Sequence, residues 1–217
     1  GCLAQRGASD AERALALRMG VAADLNAGWV DSARQRLAVA RGAWAERERD
    51  EWVLTARASG LPALGDWQAA AARLSARATS PDTDATRHWL LARMAIDRAR
   101  HAAALARLAE HGAPYPASLA ADLRARDALM RGDSAQALRL WDAATRRYAV
   151  LSVPLELVAS LWPLRLDRLR VAVARHDSTA AALACRSFDG LNGYVDQVAQ
   201  PDVDRLCGRP SLPGTPP

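Results

Sequence analysis

The segment Gly132-Asp133-Ser134-Ala135-Gln136-Ala137-Leu138-Arg139-Leu140-Trp141-Asp142-Ala143-Ala144 sets four residue types at fixed offsets, each with its own task. Gly132 can end a helix in the left-handed region without a Cβ penalty, and Asp133 can cap the next helix by accepting from its exposed amides. Ala137 and Ala144 permit close helix approach, and Trp141 fills the space between them. The segment therefore predicts a helix end, a tight turn and a second helix packed back on the first.

The same frame recurs along the chain. Gly28 is followed by Ala33, Leu37 and Ala40, and Gly65-Asp66 by Ala70 and Leu74, with Arg77 where a small residue should stand. A weaker copy at Ala99 places Ala104 and Leu108, and one at His176-Asp177 places Ala181 and Cys185, with bulky Phe188 last. The predicted turns at 28, 65, 99, 132 and 176 are separated by 37, 34, 33 and 44 residues. This frame resembles the second half of a tetratricopeptide repeat, whose period is near 34. The resemblance covers most of the chain and implies an all-α stack of antiparallel helical hairpins that offers a concave surface to a peptide or protein. An irregular helical bundle is the other packing open to these helices.

On this frame the chain divides into a tether at 1–8, a repeat domain at 9–195 and a Pro-rich, irregular tail at 196–217. Five hairpins are expected, roughly at 9–42, 43–78, 80–112, 116–149 and 153–195. Ser9-Asp10 with Glu12 suits the first start, Ser80-Pro81-Asp82 reads as cap, proline and first-turn acid, and Pro114-Tyr115-Pro116 marks a break. The long last interval accommodates a link and a lengthened helix through 152–175, which Pro163 should start, kink or interrupt.

Composition agrees with helices: alanine, leucine and arginine dominate, and Phe188 and Ile96 are the only residues of their types. All 29 basic residues are arginine, as in proteins from GC-rich bacterial genomes, and they are interspersed with 24 carboxylates to a net charge of +5. A mixed surface of this kind does not call for nucleic acid. The most one-sided stretch is Arg87 to Arg107, with Arg87, Arg93, Arg98, Arg100 and Arg107 against Asp97 alone, which suits an acidic partner or anionic lipid. The longest weakly charged run, Tyr148 to Leu164, carries Glu156, Pro154 and Pro163 and falls short of a membrane span.

Three cysteines, Cys2, Cys185 and Cys207, include no close pair of the zinc or thioredoxin type. Cys185 and Cys207 either close a loop of about 22 residues as a disulfide or are unrelated thiols, one in the core and one exposed. His88, His101, His111 and His176 are not spaced to chelate on one helix face and read as surface or cap residues, and Asp82 and Asp84 lack the downstream glycine and glutamate of a calcium loop. No nucleophile elbow, Cys-His signature or phosphate loop is present, so neither enzyme activity nor a cofactor is expected. Of seven tryptophans most should fill an alanine-rich core, while Trp29 and Trp67, beside turns, are the candidates for partner contact, together with Arg87, Arg93 and Arg100.

Gly1-Cys2 resembles the end of a bacterial lipobox, with Cys2 as the lipidated residue. That resemblance implies a lipid-anchored accessory or scaffold subunit on the extracytoplasmic face, bound to protein subunits of a membrane complex of electron transfer or envelope assembly. The alternative is a cytoplasmic interaction module of a bacterial signalling or transcription regulator.

Overall fold

The computed structural model describes residues 8–77, 85–110, 114–146, 155–189 and 200–209. Cys2, the Ser80-Pro81-Asp82 start, Asp84, His111 and the 210–217 tail lie outside the described residues. Eleven helices and no strand occur among those described. They pair as α1 (Asp10–Asn26) with α2 (Val30–Val39), α3 (Ala43–Ser59) with α4 (Trp67–Ala76), and α5 (Ala85–Arg93) with α6 (Arg98–Glu110). Then come α7 (Pro114–Met130) with α8 (Ser134–Arg146), α9 (Leu155–Ala174) with α10 (Ser178–Asp189), and a final α11 (Gln200–Cys207). The molecule is an all-α stack of helical hairpins. α11 stands where the sequence reads as irregular tail, and α7 begins two residues ahead of the expected start because proline is tolerated in a first helical turn.

The first helix of every hairpin stops by one device. Gly28, Gly60, Ala95, Gly132 and His176 take φ of 77°, 70°, 61°, 81° and 55°. The following N–H donates back to the carbonyl of Asp24, Ala56, Leu91, Ala128 or Ala172 at 2.8–3.0 Å, the closing bond of a Schellman motif. Two expected turns therefore move: Gly60, not Gly65, carries the left-handed residue of the second hairpin, and the third turn falls at 94–97, leaving Ala99 inside α6. Ala95 and His176 adopt this conformation against their Cβ, a cost of about 1–2 kcal/mol each.

The second helix starts where the aspartate follows. Asp66 accepts from Gln68 N at 2.9 Å, Asp133 from Gln136 N at 2.9 Å and Asp177 from Ala180 N at 2.9 Å. At α1 the start is a capping box: Glu12 N donates to Ser9 Oγ, and Ser9 N donates to Glu12 at 2.7 Å. Four residues after the cap positions 29, 66 and 133 the small side chains Ala33, Ala70 and Ala137 are buried, as is Ala104 further into α6, and Leu37, Leu74 and Trp141 fill the seams.

Arginine–carboxylate pairs stitch helix to helix. Arg36 meets Asp24 between α1 and α2 at 2.7 Å, Arg73 meets Asp50 between α3 and α4 at 2.7 Å, and Arg168 meets Asp142 between α8 and α9 at 2.7 Å. Arg18 reaches Glu48 across α1 and α3, and Arg98 reaches Asp127 across α6 and α7. Many arginines of the net-basic chain thus face inward carboxylates rather than a ligand.

The first helices pack in succession, α1 on α3, α3 on α5 and α5 on α7. α9, continuous through Pro163, packs on α1 and α3 as well as on α8 and α10. Its Leu164 and Ala172 belong to the main core with Leu17, Leu54, Leu90 and Leu119. Burying a leucine such as Leu164 contributes about 2 kcal/mol. The concave face that a repeat array would offer to a ligand is thereby crossed by the chain's own helix.

Candidate functional site

On α7 the residues Leu119, Asp122, Leu123 and Arg126 share one helical face, so a carboxylate and a guanidinium enter the core beside two leucines. Asp122 is 0% exposed. Its two oxygens accept from the indole Nε1 of Trp89 at 2.7 Å and of Trp141 at 2.8 Å, and from Arg126 Nε at 3.1 Å. Arg93 stands 3.7 Å away. Burial pushes this carboxyl up, but Arg126, Arg93 and the two indole N–H groups outweigh it and hold Asp122 below the ordinary carboxylate range.

The network continues outward. Arg93 donates to Asp167 of α9 at 3.3 Å and to the Ala58 carbonyl at the end of α3, and its guanidinium lies 5.0 Å from the Trp89 ring. Burial lowers the Arg93 pKa, with Asp122 and Asp167 acting against it. Arg126 also binds Asp167, Arg170 lies 3.7 Å from Asp167, and Arg170 donates to Asp202 of α11 at 2.8 Å. One chain of alternating charge thus ties α5, α7, α9 and α11 together. Asp122 is fully buried, and both of its oxygens accept from these partners.

α11 is held a second way. Cys185 and Cys207 are joined by a disulfide with Cα atoms 5.8 Å apart. Around it Leu166, Leu169, Ala184, Phe188 and Val203 form a smaller core of their own. Arg165, buried beside it, has its pKa lowered by desolvation and by Arg168, and it donates to the Ser187 carbonyl at 3.0 Å.

The residues singled out for partner contact separate. Arg87 and Arg93 are corrected: both side chains are turned inward, Arg87 donating to the carbonyls of Leu74 and Arg77 at the end of α4, and Arg93 serving the network above. With Arg98 on Asp127, the Arg87–Arg107 stretch is not a basic face; an arginine in an alanine-rich helix is long enough to cap a neighbouring helix end. Arg100 is exposed and stands 3.7 Å from Asp97. Trp67 is half-buried, with Arg57 stacked 5.6 Å from its ring. Trp29 is 65% exposed.

Trp29 has company that the sequence reading missed. Leu15, Met19 and Val39, all on the first hairpin, are 48%, 51% and 62% exposed. Leu15 and Met19 stand one turn apart on the side of α1 opposite buried Leu17, Val21 and Leu25, so α1 carries apolar residues on two faces. The histidine reading is also corrected in part: His88 and His101 are buried against each other, while His176 is exposed at its turn. Among the described residues no group of three or more His, Cys, Asp or Glu is placed to hold a metal ion, and no helix is long and apolar enough to cross a membrane. Comparison with protein-family models, with curated proteins and with solved structures finds no match to this chain.

Proposed function

We propose that this protein is a non-catalytic accessory subunit, a helical-repeat scaffold of the tetratricopeptide type that is lipid-anchored through Cys2 and stabilises or bridges a membrane protein complex on the extracytoplasmic face. The observation that carries the reading is the exposed apolar set on the first hairpin, Leu15, Met19, Trp29 and Val39. Four of the six large apolar side chains exposed among the described residues lie on this one hairpin, the others being Met130 and Leu183, and such a grouping suits a covering surface. Cys2 lies six residues before Ala8, a reach of at most about 20 Å, so a lipid there and this hairpin would approach the same surface. The disulfide between Cys185 and Cys207 supports an oxidising compartment over the cytoplasm. With α9 across the inner layer, a partner is directed to the outer faces.

The test is purification of the native, tagged chain from its membranes beside the variant carrying Leu15→Gln and Met19→Gln. Partner subunits should accompany the wild type and fall at least tenfold in the variant. A wild type that brings no subunits refutes the scaffold. A native Cys2 without the mass of a diacylglyceryl group refutes the anchor.

A further inference from the structure

Arg18 on Glu48, Arg36 on Asp24, Arg73 on Asp50 and Arg98 on Asp127 all bind a carboxylate through one edge of the guanidinium, Nε together with Nη2. This edge is a two-donor fork that matches two oxygens of an oxyanion. Arg165 of α9 presents the same edge without such a match. It stands between buried Leu164 and Leu166 and is itself 7% exposed. Its Nη1 donates to the Ser187 carbonyl in the last turn of α10 at 3.0 Å, its one hydrogen bond among the described residues. Nε is buried and has no partner, while Nη2, also without one, is not sealed from solvent. The fork is therefore empty, and one of its two tips reaches the surface.

Taking a guanidinium out of water is costly unless an anion meets it. Arg93, also deeply buried, has Asp122 and Asp167 to meet it. Burial lowers the Arg165 pKa, Arg168 lowers it further, and no carboxylate among the described residues acts the other way. Arg168, three residues on along the same side of α9, is engaged with Asp142 of α8 at 2.7 Å.

We propose that the Nε–Nη2 edge of Arg165 is a binding site, at the end of α10, for the phosphate group of a ligand. A carboxylate also fits such a fork, but a phosphate has further oxygens to turn toward Arg168, a second cation within electrostatic reach. The site lies on the last hairpin and does not depend on the apolar residues of the first, so it stands or falls apart from the scaffold role.

Urea unfolding of the full chain reads the site, with inorganic phosphate added up to about 0.1 M and sodium chloride exchanged for it to hold the ionic strength. At about nine times its dissociation constant, phosphate should shift the folding equilibrium about tenfold toward the native state. Arg165→Met removes the cation and keeps an apolar stem. The shift should vanish, and the midpoint without phosphate should equal or exceed that of the wild type, because no paired charge is lost. Arg165→Lys keeps the charge without the fork, and its shift should be weaker than that of the wild type. Phosphate also stabilises folded proteins in general by exclusion from their surface, so an equal shift in R165M overturns the site, as does no shift in the wild type. A folded R165M with a phosphate-free midpoint well below wild type shows the cation to be matched within the chain and overturns it too. If R165M does not fold, the guanidinium Nε–H signals of the wild type decide by NMR: that of Arg165 should move with phosphate and not with chloride, and a signal that stays in place or moves equally with both refutes the site. Phosphatidylglycerol vesicles then separate the two sources of the group. Vesicle binding that inorganic phosphate competes away and R165M lacks assigns it to a lipid headgroup, and a phosphate response without vesicle binding assigns it to a soluble ligand.

Discussion

Replacing Asp122 by asparagine keeps the shape of the side chain and removes both its charge and half of its acceptor capacity. One indole N–H, of Trp89 or Trp141, would then face an amide NH2 where it now finds a carboxylate oxygen 2.7 or 2.8 Å away. A buried donor left in this way costs about 1–3 kcal/mol. Arg93 and Arg126 would in addition share Asp167 alone, and removing one partner of a buried ion pair costs about 3–5 kcal/mol. The two losses overlap because one group makes both sets of contacts, so D122N should lose about 4–6 kcal/mol, a large part of the roughly 5–15 kcal/mol that holds a domain folded. Urea denaturation followed by circular dichroism at 222 nm measures it without relying on tryptophan fluorescence. Trp141→Phe in the D122N background removes the N–H that opposes the amide, so the double variant should lose less than the sum of the two single variants, with a coupling of about 1–3 kcal/mol. A D122N protein within 1 kcal/mol of wild type, or additive losses in the double variant, would refute the claim that both indoles and both guanidiniums depend on this carboxylate.

Other consequences can be measured on the same protein. Asp122 is held below its ordinary pKa despite its burial, so its contribution is present above about pH 4 and lost as the pH falls further; the urea midpoint should drop between pH 4.5 and 2.5, less steeply in D122N. Cys207→Ser opens the 22-residue loop and should lower stability by about 3 kcal/mol, with hydrogen exchange rising first in α11. Ala95→Gly relieves a left-handed alanine and should stabilise by about 0.5–1 kcal/mol in the same urea assay. Gly132→Ala should cost about 1–2 kcal/mol purely through backbone conformation, since a Cβ there meets nothing within 4 Å.

The hairpins were legible in the sequence because their ends are local. Gly132-Asp133 and His176-Asp177 mark a left-handed stop and a cap within two residues, Gly28 marks a stop, and the alanine that packs inward comes four residues after the cap position as Ala33, Ala137 or half-buried Ala181. The core polar network was not legible, because nothing local distinguishes Asp122 from the surface aspartates. The available signal was its place between Leu119 and Leu123 on the apolar face of α7, with an unusual surplus of indole donors in a phenylalanine-poor chain. Arg87 and Arg93 read as surface charge for the same reason: a long side chain can cap a carbonyl one or two helices away, and sequence spacing does not show where it ends. Spacing along one helix face does not show the histidine contact, because His88 and His101 meet across a turn.

The placement of α9 against α1 and α3 changes how the chain can come apart. In an open array each unit leans only on its neighbours, so ends can fray and units can be added or removed with graded effect. Here residues up to 26 and residues from 155 onward must meet before either end is covered, a closure of high sequence separation that slows folding. Once made, it couples the first hairpin to the last, so shortening the chain from the C-terminus should unfold the whole molecule in one step rather than shorten the stack.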